Sequence, residues 1–377
     1  MDLAYTEEEE AFRAGLRDWL AVALPELPPP PPPDDWPARR AHDTAWQRAL
    51  YDAGYADVHW DASPTRRLIF LEETEKAGAP YVGANFVGLL HAGPTIAAEG
   101  TREQRERWLP HILRGDEVWC QGFSEPDAGS DLASLRTRAV RDGDSYVVTG
   151  AKIWTSHAEV ADWCELLVRT DPRAPRHRGI SWLAMPMDAP GVTVRPLRTL
   201  AGSTEFAEVH LDGVRVPVAN RVGEENDGWR VTMVTLSFER GTAFVGEVVA
   251  CRRTLAALAR TARENGRWDD AVLRRRLGRL NAEFGALWRL IQWNVGEAEA
   301  TGGVPGTGGS VFKLRYSQAR QELYDAAAEV LGPDALDLSH EWTLGRLASL
   351  SYTIAAGTSQ IQRNIVAERI LGLPKER

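Results

Sequence analysis

With 377 residues and 44% hydrophobic composition, the chain exceeds one ordinary domain and can bury a sizeable core, so two or three packed units are expected. A formal net charge of −9 disfavours nucleic acid as a partner, because a phosphate-binding surface needs clustered Lys and Arg. Cys120, Cys164 and Cys251 are widely spaced with no CxxC pair, which points away from a disulfide framework and from any metal site and fits a reducing cytoplasm.

The acidic start, Glu7 to Glu10, lacks the positive charge and apolar run of a signal peptide. No apolar stretch reaches the length of a membrane span, so a soluble cytoplasmic protein is expected. From Thr6, Phe12, Leu16, Trp19 and Leu20 fall at helical spacing behind a Thr6 cap. Pro25 to Pro37 holds eight prolines and reads as a polyproline linker or rigid surface loop. Helices are predicted over Trp46 to Gly54, Arg67 to Ala77, Ala84 to Glu99 and Thr101 to His111, the last with Thr101 and Gln104 as a capping box. His91 and His111 read as structural, since neither has a catalytic companion nearby in sequence.

From Glu117 to about Gly223 the pattern alternates. Tyr146 to Val148, Leu166 to Val168, Ile180 to Met185 and Val192 to Val194 are strand-like, with turns expected at Asp142-Gly143, Pro190-Gly191 and Asp212-Gly213. Helical periodicity resumes after Asp227-Gly228 and runs through Arg263, Ala271 to Ala300, Lys313 to Leu331 and Trp342 to Leu371. Arg274 to Arg276 reads as a solvated helix face. Gly302 to Gly309 lacks the Lys-Ser/Thr of a phosphate loop and reads as an inter-helix connection. The fold expected is mainly α with a central β unit: a helical N-terminal domain (1–116), a β-barrel-like middle domain (117–225) and a C-terminal helical bundle (226–377).

One stretch carries chemistry. Gly122 to Ser156, GFSEPDAGSDLASLRTRAVRDGDSYVVTGAKIWTS, joins a Gly/Ser-rich loop to a hairpin and ends on a tryptophan followed by two hydroxyls. A flat redox-active ring needs backbone N–H groups and small hydroxyls along one edge and an apolar wall against a face. Ser124, Ser130, Thr155 and Ser156 supply the hydroxyls and Trp154 the wall.

FSEPDAGSD, GDSYVVTGAKIWTS, VHLDGVRVPVANRVGEENDGW (Val209 to Trp229) and GTSQIQR (Gly357 to Arg363) stand in order along the chain and resemble the motifs of the acyl-CoA dehydrogenases. That resemblance implies FAD as cofactor, an acyl thioester on CoA or a carrier as substrate, α,β-dehydrogenation, and an electron-transfer flavoprotein as acceptor. It also implies a homo-oligomer, dimer or tetramer, with a heteromer open. By resemblance Phe123, Ser124, Gly129, Ser130, Trp154, Thr155, Ser156, Thr358 and Gln360 meet the cofactor, while Ser130, Arg240 and Gly357 meet the substrate.

Many relatives carry the catalytic base directly before GTSQIQR, where this chain has Ala356. Others carry it in a Glu-Arg pair on the helix that opens the second helical unit, and Glu239-Arg240 in LSFERGT matches that pattern. Glu239 is therefore expected as the base. The Phe-Gly pair by which relatives reach a neighbouring subunit's flavin is missing from Arg263 to Leu277, whereas Val330-Leu331-Gly332 resembles the second inter-subunit segment. Two alternatives follow from Ala356: a flavin oxidase or monooxygenase on the same scaffold, or a non-catalytic partner subunit of a heteromer.

Overall fold

A computed structural model describes residues 4–60, 63–80, 83–242, 245–301 and 308–374. Helix α1 (Glu7–Glu26) starts on a Thr6 capping box with Glu9 and carries four glutamates in its first turn, where they complement the helix dipole. It runs two residues into the stretch read as a proline linker, with Pro25 in its last turn. The proline run then ends in Asp35, which caps α2 (Trp36–Asp52), with Pro37 in the first turn. This helix begins ten residues before the predicted Trp46, because proline is tolerated at a helix start and Asp35 accepts from Ala38 N. The run lies back along it: His42 Nε2 is 3.1 Å from Pro28 O.

α3 (Pro64–Ala77) follows and ends on left-handed Gly78. The helix predicted over Ala84 to Glu99 is a composite of a 3₁₀ turn (Gly83–Asn85), a π-helical turn (Gly88–Ala92) and α4 (Gly93–Glu99). α5 (Arg102–Arg114) has the predicted Thr101/Gln104 capping box.

The middle unit contains β1 (Trp119–Gly122), β2 (Arg138–Asp142), β3 (Ser145–Ser156), β4 (Trp163–Arg169), β5 (Ile180–Pro186), β6 (Val192–Leu197), β7 (Phe206–Pro217) and β8 (Arg221–Val222). They form one sheet in the order β6-β7-β3-β2-β4-β5-β8, with β1 parallel to β4. The turns at Asp142-Gly143 and Pro190-Gly191 are present, but Asp212-Gly213 is not a hairpin tip. It lies inside β7, where the β3 register shifts between Val148 and Gly150, so a signal for positive φ is used as a bulge.

The second helical unit comprises α6 (Gly228–Thr242), α7 (Val245–Glu264), α8 (Ala271–Thr301), α9 (Gly308–Leu331), α10 (Glu341–Ser349) and α11 (Ser359–Ile365). Gly228 at the start of α6 lies against β5, and a Cβ there would come within 2.5 Å of the Ser181 carbonyl carbon. The long helix expected over Trp342 to Leu371 is broken after α10 by a 3₁₀ turn, and left-handed Ala356 and Gly357 precede α11. Arg276 is not part of a merely solvated face, since it pairs with Glu329 of α9 at 2.9 Å. Of the Gly302 to Gly309 connection, residues 302–307 lie outside the described residues.

Four apolar clusters form among the described residues, the smallest of them around Trp36 of α2, Ala84, Val118 and Val160. One joins α1 to α3 with α7, α8 and α9. A second joins α4 and α5 to the sheet through Trp108, Trp119 and Trp182, with Trp119 and Trp163 stacked at 5.6 Å. The third lies within the sheet and is formed by alternating residues of β3, β4, β5 and β7.

Candidate functional site

The loop after β1 is fastened to the end of β3. Ile153 N donates to Ser124 O at 3.0 Å, and Glu125 and Ala128 exchange backbone bonds around Pro126-Asp127. Beneath the loop, the fully buried Lys152 ammonium lies 2.8 Å from Glu125 Oε1 and donates to Phe123 O at 3.1 Å. Glu125 also accepts from Arg136 N and Thr137 N. Burial pushes the Glu125 carboxyl up, but the ammonium and these N–H donors overcome that and hold it below its usual range. Sequence reading missed this pair. A lysine at an inward-facing position of a strand, with a glutamate in the facing loop, was the available signal.

The hairpin end is strained. Trp154 and His157 both have positive φ, 61° and 56°, and such conformations persist only where the surroundings enforce them. The result turns Trp154 outward, 58% exposed with its ring edge-on to Phe206 at 6.0 Å. Thr155 is turned fully inward, and its hydroxyl is buried without a hydrogen-bond partner. Ser124 and Ser156 are half-buried, while Gly129 and Ser130 are exposed and a Cβ at Gly129 would meet open space. Phe123 is buried beneath the loop. Ser124 and the Trp154 to Ser156 segment are thus brought to one edge, with an orphaned hydroxyl and an exposed indole.

At the other end of the chain, Thr358 caps α11 by accepting from Ile361 N at 3.2 Å, leaving its own hydrogen to donate. Gln360 is exposed and makes no described contact with the cradle. Gln362, which sequence reading passed over, is buried and donates to Ala356 O at 2.9 Å, and Lys313 Nζ donates to Gly357 O. Gly357 has φ of 84°, and a Cβ there would lie 2.8 Å from Gln362 Nε2. Two side chains and one glycine therefore fix the loop at Ala356. Glu239 and Arg240 lie on α6, and their side chains are outside the described residues. Glu247 of α7 is already engaged, accepting from Tyr316 Oη at 2.9 Å and from the Arg320 guanidinium.

Two arginines of the segment lacking the Phe-Gly pair turn back on Trp268. Arg263 stacks at 3.8 Å on the Trp268 ring, and Arg274 donates to Trp268 O.

The N-terminal, middle and C-terminal domain models of acyl-CoA dehydrogenase match residues 6–116, 120–214 and 226–371 respectively. The chain belongs to the acyl-CoA dehydrogenase family. It is similar to the acyl-CoA dehydrogenase IpdE1 of Mycobacterium tuberculosis, with 38% identity across 98% of this chain and 99% of that protein. Among solved structures it resembles the Tcur3481-Tcur3483 steroid ACAD, with 30% identity, a TM-score of 0.83 and all of both chains covered. It also resembles the ChsE4-ChsE5 complex of M. tuberculosis, with 33% identity and a TM-score of 0.82 across all of both chains. Acyl-CoA dehydrogenases are FAD-dependent oxidoreductases, and FAD is the cofactor of this family member. The site's chemistry fits a flavin: the buried Thr155 hydroxyl lacks a partner that a ring heteroatom would provide, and Ser124, Ser156 and Trp154 flank it. Among the described residues, no helix is long and apolar enough to cross a membrane.

Proposed function

We propose that the chain α,β-dehydrogenates an acyl thioester, with Glu239 as the base that removes the α proton. The observation carrying this reading is that the loop before Gly357 is held in position but presents alanine, while Glu239 stands in a Glu-Arg pair on α6. One carboxylate has to accept the α proton as the double bond forms, and Ala356 cannot. Glu247 is occupied by Tyr316 and Arg320, which leaves Glu239 as the base the family pattern supports. When bound, FAD would supply the acceptor for the hydride that leaves the β carbon. Phe123, Ser124, Gly129, Ser130, Trp154, Thr155, Ser156, Thr358 and Gln360 would hold it, with the hydroxyls and backbone N–H groups orienting the ring and excluding water. Ser130, Arg240 and Gly357 position the thioester.

Electrons leave to an electron-transfer flavoprotein. Anaerobic mixing with an acyl-CoA should bleach the flavin, and air should reoxidise it slowly while product is bound. Rapid substrate-dependent peroxide release would replace this reading with an oxidase.

A heteromeric assembly is the second reading. It is supported by the absent Phe-Gly pair, by the internal use of Arg263 and Arg274, and by similarity to chains whose structures are described as the Tcur3481-Tcur3483 steroid ACAD and the ChsE4-ChsE5 complex. Native mass measurement of the chain alone and co-expressed with a related chain separates a homo-oligomer from a heteromer.

A further inference from the structure

Next to the flavin-contact residues, three elements meet around one imidazole. His157 follows Thr155 and Ser156 directly at the end of β3 and is only 9% exposed. It lies between the rings of Trp36 on α2, at 5.0 Å, and Phe86, at 5.8 Å. Its backbone N donates to Glu205 O at 2.8 Å, and its Nε2 is 4.0 Å from Glu205 Oε1, too far for a hydrogen bond. Its Nδ1 is buried without any hydrogen-bond partner.

Arg39, one turn along α2 from Trp36, is the second unmatched group. Its guanidinium lies 5.8 Å from the Trp36 ring, its Nε is buried and unpaired, and it has no ion-pair partner among the described residues. The neighbouring Arg40 is, by contrast, bound to Asp162. Trp36 is itself fixed by donating from Nε1 to Thr204 Oγ1 at 3.0 Å, so α2 is anchored to the loop that carries Glu205.

A buried polar atom left unpaired costs about 1–3 kcal/mol, and two such atoms, on side chains close enough for the Arg39 charge to act on the imidazole, are the pattern of a site completed by a ligand. We propose that Arg39 and His157, with Glu205 beside them, form a subsite for an uncharged oxygen, a ketone or hydroxyl, on the acyl portion of the substrate. This deepens the dehydrogenase reading and rests on it for the identity of the ligand as an acyl thioester.

A neutral oxygen is favoured over a carboxylate by charge. Asp43 and Glu205 already face this junction, and Asp43 is committed to Ala84 N and His42. Another carboxylate would add an anion with only Arg39 to meet it, whereas a carbonyl or hydroxyl oxygen accepts from the guanidinium and imidazole without adding charge. Burial also keeps the imidazole neutral, with its pKa lowered to about 4 against the opposing pull of Asp43. The aromatic walls, Trp36 and Phe86, suit a ring carrying the oxygen.

The test is calorimetric binding to the FAD-loaded protein, in the assembly in which it is isolated, of two matched thioester pairs. One pair is cyclohexane-1-carbonyl-CoA and its 4-oxo form; the other is a steroid-acyl-CoA with a ring ketone and the same compound with a methylene in its place. In at least one pair the ketone should bind tenfold to a hundredfold more tightly, about the discrimination expected of a site built to hydrogen-bond. That ratio should collapse in Arg39→Met and in His157→Asn, the latter chosen because Asn tolerates the left-handed backbone.

Equal binding within both pairs overturns the proposal. So does a preference that survives both substitutions, or a loss of FAD from either variant, which would assign these residues to the cofactor. Flavin bleaching is read separately. A ketone preference without bleaching sinks the dehydrogenase reading alone, and bleaching without a ketone preference sinks the subsite alone.

Discussion

The Lys152 ammonium and the Glu125 carboxylate meet at 2.8 Å beneath the loop expected to cradle the flavin, both removed from water. The pair ties β3 to the loop across 27 residues of sequence, and through Phe123 O and the N–H groups of Arg136 and Thr137 it leaves few of its hydrogen-bonding positions unused. Removing one partner strands the other charge in a dry interior. Lys152→Met should therefore destabilise the protein by about 3–5 kcal/mol and weaken FAD retention, as read by urea unfolding and by flavin released on gel filtration. Unchanged unfolding would mean that the loop is held by its backbone bonds alone.

Glu239→Gln keeps size and hydrogen-bonding capacity but cannot take a proton. It should retain FAD while slowing flavin reduction by about 10²–10⁴-fold in stopped-flow measurement. Adding Ala356→Glu to that variant supplies a carboxylate where many relatives have theirs and should restore part of the rate. Near-normal reduction in Glu239→Gln would show that the base lies elsewhere.

His157 makes stability depend on pH. Its folded pKa of about 4 lies below the ordinary 6.5, because burial disfavours the cation and Arg39 opposes it while Asp43 favours it. Between these values the unfolded chain binds more protons than the folded one, so stability falls as pH drops from about 6.5 towards 4 and the loss is complete below the folded pKa. The full cost is about 3 kcal/mol at the bottom of that window. His157→Asn should flatten this part of the pH profile measured by denaturant unfolding. A profile unchanged by the substitution would place the proton-linked group elsewhere.

Gly357→Ala introduces a Cβ 2.8 Å from Gln362 Nε2 on a backbone with φ of 84°, so both sterics and conformation oppose it. It should cost about 1–3 kcal/mol and displace the loop before α11. Gln362→Leu leaves Ala356 O without its side-chain donor and should cost about 1–3 kcal/mol. Thermal unfolding of the two single variants and the double variant should show less than additive loss, because both act on the same loop.

Much of the architecture was legible because its signals are local. The Thr6 and Thr101 capping boxes, the alternation of Tyr146 to Val148 and of Ile180 to Met185, and the return of helical spacing after Gly228 each depend on residues within a few positions of one another. The FSEPDAGSD and KIWTS strings were legible for the same reason, and they sufficed for the family and its cofactor. Where local signals were ambiguous, packing decided. Pro37 begins a helix because Trp36 is seated against Thr204 and His157, and Asp212-Gly213 bends a strand because β3 continues past it. Trp342 to Leu371 keeps its apolar spacing but breaks where Gln362 and Lys313 capture the carbonyls of Ala356 and Gly357.

The sequence by itself determined the motifs, the three-part order and the vacancy of carboxylate at 356, since each is a property of residue identity. Only the tertiary structure decided which polar groups lack partners. The Thr155 hydroxyl, His157 Nδ1 and Arg39 Nε are unmatched because of what does not reach them from α2, the Glu205 loop and the sheet, and hydrogen-bond satisfaction across more than a hundred residues of separation leaves no trace in local spacing.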